Sequence, residues 1–355
     1  MTEDRQTVFQ AEGCRYVLLP DGTAEILSCR ACAADDDVPG VLDGHPVSAI
    51  GFEAYAGISH LESITVPEGI TRLDRRAFAG CEALTEVTLP RSLTEVGEGL
   101  FAGCEELAVV TIPPDHPVLA LVDGVLFDRT NHRLLWYPAG REDPAFTVPA
   151  GTLALGEGAF RGCSSLRRVF LPEGLQTVGD LAFSGCLHLE EAVLPDSVTA
   201  IGQRAFMGCG DLQAIRLPAG LRSLDFGAFM HCTSLTHAAI PSGVSRLPWQ
   251  CFYHCTALRR VDLPEGLTEI GREAFALCRE LEHLSLPAGL RCIGPLAFFV
   301  CVRLSRLTLP AGLTQIGEDA FKNCHALTLA VAENSPARQY CLENGLPFVH
   351  IALGG

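Results

Sequence analysis

The chain has 355 residues, a formal net charge of −16 and a hydrophobic content of 48 %. This length fits two ordinary globular domains or one array of repeats, and the apolar fraction is ample for a core. The negative charge argues against a nucleic-acid partner, whose phosphates require a basic surface, and against an anionic membrane surface. The single lysine, Lys322, has no glycine-rich loop around it, which disfavours phosphate-loop chemistry.

The first residues, "MTEDRQTVFQAEG", contain no apolar stretch of the kind found in secretory signals, and no apolar run is long enough to span a bilayer. Sixteen cysteines in such a chain are more typical of a reducing compartment than of an oxidising one. We therefore expect a cytoplasmic protein without membrane insertion. The alternative is a cell-surface or secreted protein exported by a non-classical route.

A 23-residue repeat dominates the sequence. Cysteines recur at this spacing from Cys81 to Cys324, except for one step of 59 residues between Cys104 and Cys163, which is one repeat plus an excess of 36. We call this series the cysteine ladder. Ile58 holds the equivalent position one step before Cys81, which makes eleven repeats; each has Phe or Tyr three residues before this position and Leu three residues after it. Such self-similarity predicts a solenoid.

Each repeat predicts two short elements. The alternation in "LRRVFLP" predicts a strand that ends at Pro172. A turn follows with Gly at the position of Gly179 in most repeats, where we expect a left-handed or a tight backbone. The stretch "xxAFxGC" spaces Ala and Cys four residues apart and predicts one helical turn. The cysteine is then a small buried filler, an interpretation that Ile58 at the same position favours.

The segment "LPEGLTEIGREAFALCRELEHLSLP" (Leu263–Pro287) resembles the repeat of BspA-like (Treponema-type) leucine-rich repeat proteins, a family of bacterial surface and adhesion-type proteins. The resemblance implies an α/β fold: a right-handed leucine-rich-repeat solenoid, horseshoe or superhelix, with a parallel concave sheet. It also implies five segments: an N-terminal β-hairpin cap at 1–49, leucine-rich repeats at 50–113, a β-hairpin insertion at 114–148, leucine-rich repeats at 149–333 and a C-terminal cap at 334–355.

No catalytic or phosphate-binding motif occurs, so we expect a non-enzymatic scaffold without cofactor or metal, as a monomer or weak homo-oligomer. Its outward strand positions, five and seven after the ladder position, carry slightly more arginine than acid although the chain is acidic. Arg is enriched at interface hot spots, so this concave face suits a peptide or an acidic protein of unknown identity. The predicted contact residues are Arg168, Phe170, Arg216, His237, Arg260, His283 and Arg306, with Trp136 and Tyr137 of the insertion as a second candidate contact.

Two further alternatives stay open from the sequence. The first is an exported adhesion protein in host or cell–cell interaction. The second is a thiol or metal protein that uses Cys14, Cys29 and Cys32, although zinc sites of this type need a second pair or histidines at ligand spacing. His231 and His254 each precede a ladder cysteine, but a thiolate–imidazole pair needs an exposed sulfur, and this sulfur is predicted to be buried. We expect the acidic run at 35–37 to be a solvated loop.

Overall fold

The structure is a computed structural model that describes residues 7–30 and 33–351. The chain forms a β-solenoid of about 14 turns with very little helix. It divides into two compact units, which we call the N-terminal unit (1–142 and 152–163) and the C-terminal unit (143–151 and 164–355).

In the N-terminal unit, the first three strands form an antiparallel meander and the following strands pair mainly in parallel. The strands are β1 (Val8–Ala11), β2 (Cys14–Leu18), β3 (Ala24–Cys29), β4 (Asp35–Asp37), β5 (Val41–Leu42), β6 (His45–Ile50), β7 (Ser63–Thr65), β8 (Arg72–Leu73), β9 (Glu86–Thr88), β10 (Glu95–Val96), β11 (Val109–Thr111), β12 (Leu119–Val122), β13 (Val125–Asp128), β14 (Arg133–Trp136) and, after β15 (Ala145–Thr147) of the other unit, β16 (Ala154–Leu155). The acidic run at 35–37 is therefore a strand and not the predicted loop, because it pairs with β7.

In the C-terminal unit, each repeat supplies a strand of two or three residues followed by a two-residue strand. These are β15, β17 (Arg168–Phe170), β18 (Thr177–Val178), β19 (Glu191–Val193), β20 (Ala200–Ile201), β21 (Ala214–Arg216), β22 (Ser223–Leu224), β23 (His237–Ala239), β24 (Arg246–Leu247), β25 (Arg260–Asp262), β26 (Glu269–Ile270), β27 (His283–Leu284), β28 (Cys292–Ile293), β29 (Arg306–Thr308), β30 (Gln315–Ile316) and the longer β31 (Thr328–Ala332), with α1 (Pro336–Glu343) and β32 (Phe348–Ile351) closing the chain. Within each sheet, equivalent strands pair in parallel one repeat apart, as in Arg168 opposite Glu191. New sheets begin at β21, β24 and β29.

The core is a stack of phenylalanine rings beside the cysteine ladder. From Phe183 to Phe321 the rings of successive repeats are stacked with centroids 5.1 to 5.7 Å apart. From Cys209 to Cys324, each ladder thiol donates a hydrogen bond to the carbonyl oxygen of the phenylalanine 26 positions earlier, as Cys232 does to Phe206 over 3.2 Å. Burial raises the pKa of Cys232 to about 12, so the thiol keeps the proton that it donates. The predicted packing role of the ladder is confirmed.

The stretch before each cysteine is a series of turns, so the predicted helical turn is wrong. In an α-helix, every N–H bonds to the carbonyl four residues back. Here alternate N–H groups bond to the next repeat instead: Phe206 N–H to Ala228 O and Gly208 N–H to Met230 O, both over 2.8 Å. The backbone hydrogen bonds of the turn therefore join neighbouring repeats. Among residues 7–30 and 33–351, α1 is the only helix.

The recurrent glycine directly after the second strand of a repeat is explained by a close backbone approach. A Cβ at Gly271 would lie 2.8 Å from Leu247 O, and one at Gly97 would lie 2.2 Å from Arg75 N. Neither glycine has a positive φ. Of the two alternatives that the sequence left open, the tight backbone is the correct one at these positions.

The insertion hides one further repeat. Strands β12, β13 and β14 form an antiparallel sheet, as the resemblance implied. The Tyr137 ring packs against that of Phe160 in a tilted arrangement with centroids 5.0 Å apart, which makes it the aromatic residue of a repeat whose ladder position is Gly140. The step from Cys104 to Gly140 is 36 residues and the step from Gly140 to Cys163 is the regular 23. The excess is therefore thirteen residues, one repeat less than the sequence suggested.

Helix α1 and β32 close the C-terminal unit, in the order that the resemblance implied. Ser335 caps the helix by accepting a hydrogen bond from the backbone N–H of Arg338 over 3.2 Å. The Tyr340 hydroxyl accepts from the Ala320 N–H over 3.1 Å, and its ring packs edge-on against Phe321. The helix thus covers the last ring of the aromatic stack.

Candidate binding surface

We define the strand face as the outward first and third residues of the strands that follow the ladder positions. Their middle residues are buried, because side chains alternate between the two sides of a strand. In the C-terminal unit this face displays every predicted concave-face residue. All seven are exposed: Arg168, Phe170, Arg216, His237, Arg260, His283 and Arg306.

Three of these arginines have guanidinium groups that are free or nearly free of partners. Among the described residues, none forms an ion pair or side-chain hydrogen bond with Arg168 or Arg306, and only Asp196, at 4.0 Å, reaches ion-pair distance of Arg216. In a chain with a net charge of −16, such cations are unusual. Each can bind a carboxylate without first breaking a strong internal ion pair.

The remaining basic side chains of the face lie close to carboxylates of the same chain. His237 Nε2 lies 2.8 Å from Asp262 Oδ2, and Arg260 Nε lies 2.8 Å from Asp262 Oδ1. Both hydrogen bonds lower the pKa of Asp262, and the bond from His237 has the larger effect. His283 Nε2 lies 3.9 Å from Glu282. The cationic character of the face is therefore concentrated at Arg168, Arg216 and Arg306.

A shallow depression of about 390 Å³ is lined by both Arg168 and Arg216. Glu191 and Val193 of the intervening strand also line it. Val193 is 53 % exposed, and Phe170, its partner in the sheet register, is 50 % exposed. The repeat period placed Glu191 and Val193 on this face, but neither was a predicted contact residue, because the sequence does not show which neighbouring side chains enclose a depression.

The strand face of the N-terminal unit has the opposite charge. Asp35, Asp37 and Glu86 are exposed there. Its described strands β4, β7, β9 and β11 contain no lysine or arginine. Only the C-terminal unit therefore offers a basic strand face.

The second predicted contact is corrected by the structure. Trp136 is only 4 % exposed and Tyr137 only 2 %. Trp136 packs edge-on against Phe101 at 6.3 Å, and Tyr137 belongs to the aromatic stack. Both rings lie in the core, because the hidden repeat needs its aromatic residue there. Pro149 is the residue that could have revealed this repeat in the sequence. It stands nine residues after Gly140, the distance at which proline follows the ladder position in the other repeats.

Cys14 and Cys29 form a disulfide bond that joins β2 and β3. The sequence reasoning missed this pair, although the two cysteines lie at equal distances from the Asp21–Gly22 turn and so face each other across the hairpin. Cys32 lies outside the described residues. With both sulfurs oxidised, the alternative thiol or metal site loses two of its three ligands.

His231 and His254 contact each other and not the ladder cysteines. Their Nδ1 atoms are 3.2 Å apart, whereas the sulfurs of Cys232 and Cys255 donate to main-chain carbonyls in the core. Burial and the neighbouring His254 lower the pKa of His231. In the described part of the chain, no group of three or more His, Cys, Asp or Glu side chains is arranged to hold a metal ion.

The stacked repeats define a leucine-rich repeat solenoid. The family model for the BspA type leucine rich repeat region matches residues 44–124, 144–259 and 223–344. The chain belongs to the BspA-type leucine-rich repeat family. The resemblance from the sequence is confirmed.

Two solved structures illustrate the likeness. A leucine rich cell surface protein from Faecalibacterium prausnitzii A2-165 is 24 % identical, with a TM-score of 0.55 over 96 % of this chain and 98 % of that chain. A leucine-rich repeat protein from Eubacterium ventriosum is 18 % identical, with a TM-score of 0.55 over 88 % of this chain and 93 % of that one. At these identities the likeness shows the fold alone. No curated protein matches the sequence. Between residues 7 and 351, apart from 31 and 32, no helix is long and apolar enough to cross a membrane.

Proposed function

We propose that this chain is a non-catalytic leucine-rich repeat scaffold that binds a protein or peptide through the strand face of its C-terminal unit. The observation that carries the proposal is the pair of exposed arginines, Arg168 and Arg216, whose guanidinium groups lack a close ion-pair partner among the described residues, on a strand surface of an otherwise acidic chain. The strands hold these side chains on a rigid backbone. A preformed surface of this kind binds without the entropic cost of ordering a loop.

The chemistry of the ladder supports a structural role for its thiols. Burial raises the pKa values of the ladder cysteines Cys209, Cys232 and Cys255, whereas a nucleophilic cysteine requires a lowered pKa and access to solvent. Their sulfurs are therefore poor candidates for catalysis. This argues for a scaffold rather than an enzyme.

A crosslinking pull-down from the lysate and the surface fraction of the producing cells tests the proposal. The baits are the wild-type chain, the R168E/R216E variant and the charge-matched control R222E/R279E, whose arginines are exposed in the same unit but lie outside the strand face. We expect a partner that the wild type and the control capture and R168E/R216E loses. Equal capture by all three baits contradicts the proposal.

The second candidate function is that of an exported surface protein in host or cell–cell interaction. The Cys14–Cys29 disulfide favours it, because such bonds persist in oxidising compartments. The cell-surface description of the Faecalibacterium protein is consistent with it. One of the two arguments for a cytoplasmic protein was that its cysteines would be reduced, and that argument does not hold for this pair.

Cell fractionation with thiol alkylation tests this second candidate. Cells are treated with an alkylating reagent before lysis, and the peptides of the surface and cytoplasmic fractions are analysed without reduction. A disulfide-linked Cys14–Cys29 peptide in the surface fraction supports export. Alkylated Cys14 and Cys29 in a purely cytoplasmic pool contradict it.

A further inference from the structure

The arginines Arg168 and Arg216 stand at opposite corners of the depression. Arg168 is the first residue of β17, and Arg216 is the third residue of β21, two repeats further on. Strand β19 lies between them and pairs with β17, whereas β21 begins the next sheet. With about 4.8 Å for each step between strands and about 6.6 Å for residues two apart on a strand, the two Cα atoms are separated by at least about 12 Å along the diagonal. An extended peptide advances about 3.3 Å per residue. Side chains three or four residues apart on such a peptide therefore span both arginines.

An apolar row lies beside this diagonal. Phe170 and Val193 are opposite each other in the parallel register, and about half of each side chain is exposed. An apolar side chain placed between two carboxylates on the ligand would cover both residues. A sulfated glycan matches the two cations but has no aliphatic side chain to place on Val193, so the row favours a polypeptide.

One acidic residue restricts the ligand further. Glu191 is opposite Arg168 in the register and lines the same depression, and no described residue forms an ion pair with its carboxylate. An uninterrupted run of acidic residues would bring like charges close to Glu191 and weaken binding. Two separate carboxylates at the corners avoid this repulsion.

We propose that this depression binds an extended segment of a partner protein in which two acidic residues stand three or four positions apart with an apolar residue between them. The proposal rests on the proposed function, since it specifies the ligand of the same strand face. The carboxylates of the segment pair with Arg168 and Arg216, and its apolar side chain packs on Phe170 and Val193. The acidic strand face of the N-terminal unit would repel the same segment.

Selection of random 12-residue peptides displayed on phage, with the full wild-type chain immobilised and R168E/R216E used for counter-selection, tests the proposal. We expect enriched sequences with two Asp or Glu residues at this spacing around an apolar residue. The most enriched peptide is then synthesised with a fluorescent label, together with a version that has Asn or Gln in place of the two acids. Fluorescence anisotropy gives the Kd of both peptides for each protein variant.

The protein variants distinguish an effect of the charges at Arg168 and Arg216 from an effect of the net charge of the protein. We expect R168E/R216E to weaken binding of the acidic peptide at least tenfold and the R222E/R279E control to change the Kd less than twofold. E191Q is expected to strengthen binding, because it removes the like charge. Loss of both acids from the peptide should also weaken binding to the wild type, but less than R168E/R216E weakens binding of the acidic peptide, because charge reversal adds repulsion. All three protein variants alter exposed side chains, and their circular dichroism melting curves should match that of the wild type.

The outcomes distinguish this inference from the broader proposal. Neutral or basic peptides that still lose affinity for R168E/R216E would overturn the acidic ligand and leave strand-face binding intact. Peptides that bind every variant equally would overturn both. If no peptide is enriched, or if a heparin oligosaccharide alone binds in an R168E/R216E-sensitive manner, the inferred polypeptide segment is wrong, and the pull-down then decides the broader proposal.

Discussion

Glu157 is predicted to be a costly carboxylate to remove from the N-terminal unit. Its side chain is 1 % exposed and binds two arginines from a distant part of the sequence, with Oε2 lying 2.8 Å from the Arg75 guanidinium and Oε1 contacting Arg76. Gly99, which has a positive φ, leaves room for it, because a Cβ there would lie 2.9 Å from the Glu157 Cδ. The carboxylate therefore joins the coils on both sides of the insertion.

The expected loss of stability depends on how deeply Glu157 and its two arginine partners are buried. Removing one partner of a fully buried ion pair costs about 3–5 kcal/mol, because the remaining charge is left unpaired. Arg75 and Arg76 are 47 % and 32 % exposed and can be hydrated again after the change, which reduces the penalty. We expect Glu157→Gln to lower the free energy of unfolding by about 2 kcal/mol, between the values for buried and surface pairs.

Urea unfolding followed by circular dichroism measures this effect. The matched control is Glu98→Gln, which removes a half-exposed carboxylate paired with Arg133 over 2.7 Å and should cost less than about 1 kcal/mol. A Glu157→Gln variant that unfolds at the same urea concentration as Glu98→Gln would refute the reasoning. A reduced denaturant slope would indicate that the two units unfold separately, and the transition of the N-terminal unit is then analysed alone.

Three further predictions concern the core and the turns. Cys232→Ala removes a buried sulfur and its hydrogen bond to Phe206 O and should lower the free energy of unfolding by about 1–2 kcal/mol, measured by urea unfolding. Gly271→Ala places a Cβ 2.8 Å from backbone atoms and should lower the melting temperature in calorimetry, at a cost of about 1–3 kcal/mol. Burial lowers the pKa of His116, whose ring bonds to Pro90 O over 2.9 Å. The stability that neutral His116 contributes is complete above about pH 6.5 and declines as the pH falls towards the lowered pKa. The urea midpoints of the wild type and His116→Gln should therefore converge on acidification.

Each of these predictions has a control in the same chain. Cys292 is a partly exposed free cysteine outside the ladder, and an equal effect of Cys292→Ala would contradict the packing role of Cys232. A Cβ added at Gly140 would meet no described atom within 4 Å, and this glycine has no positive φ, so Gly140→Ala should be tolerated. His325 is exposed, and a pH dependence that His325→Gln changes as much as His116→Gln would contradict the assignment to His116.

The repeat period alone was sufficient to predict the ladder, the first strand of each repeat and the exposed strand face, whereas the two-residue second strands lie where a turn was predicted. These features depend on local alternation and on a spacing that every repeat shares, so no long-range contact is needed to infer them. The period did not reveal the one repeat that departs from it. Gly140 replaces the ladder cysteine, and a thirteen-residue excess shifts the spacing, so the repeat around Tyr137 was read as part of the hairpin and its buried ring as a surface contact.

The sequence by itself determined the class of fold, the inward cysteines and the outward arginines. Only the tertiary structure decided where the turn N–H groups bond, which cysteines are oxidised and which arginines stay unpaired. Phe206 bonds to the following repeat, Cys14 faces Cys29 across a hairpin, and Arg260 is bound by Asp262 while Arg168 has no such partner among the described residues. The physical reason is that the alternation of side chains along a strand determines which side of the sheet a residue faces. The partner of a polar group, by contrast, is determined by the atoms that folding brings next to it.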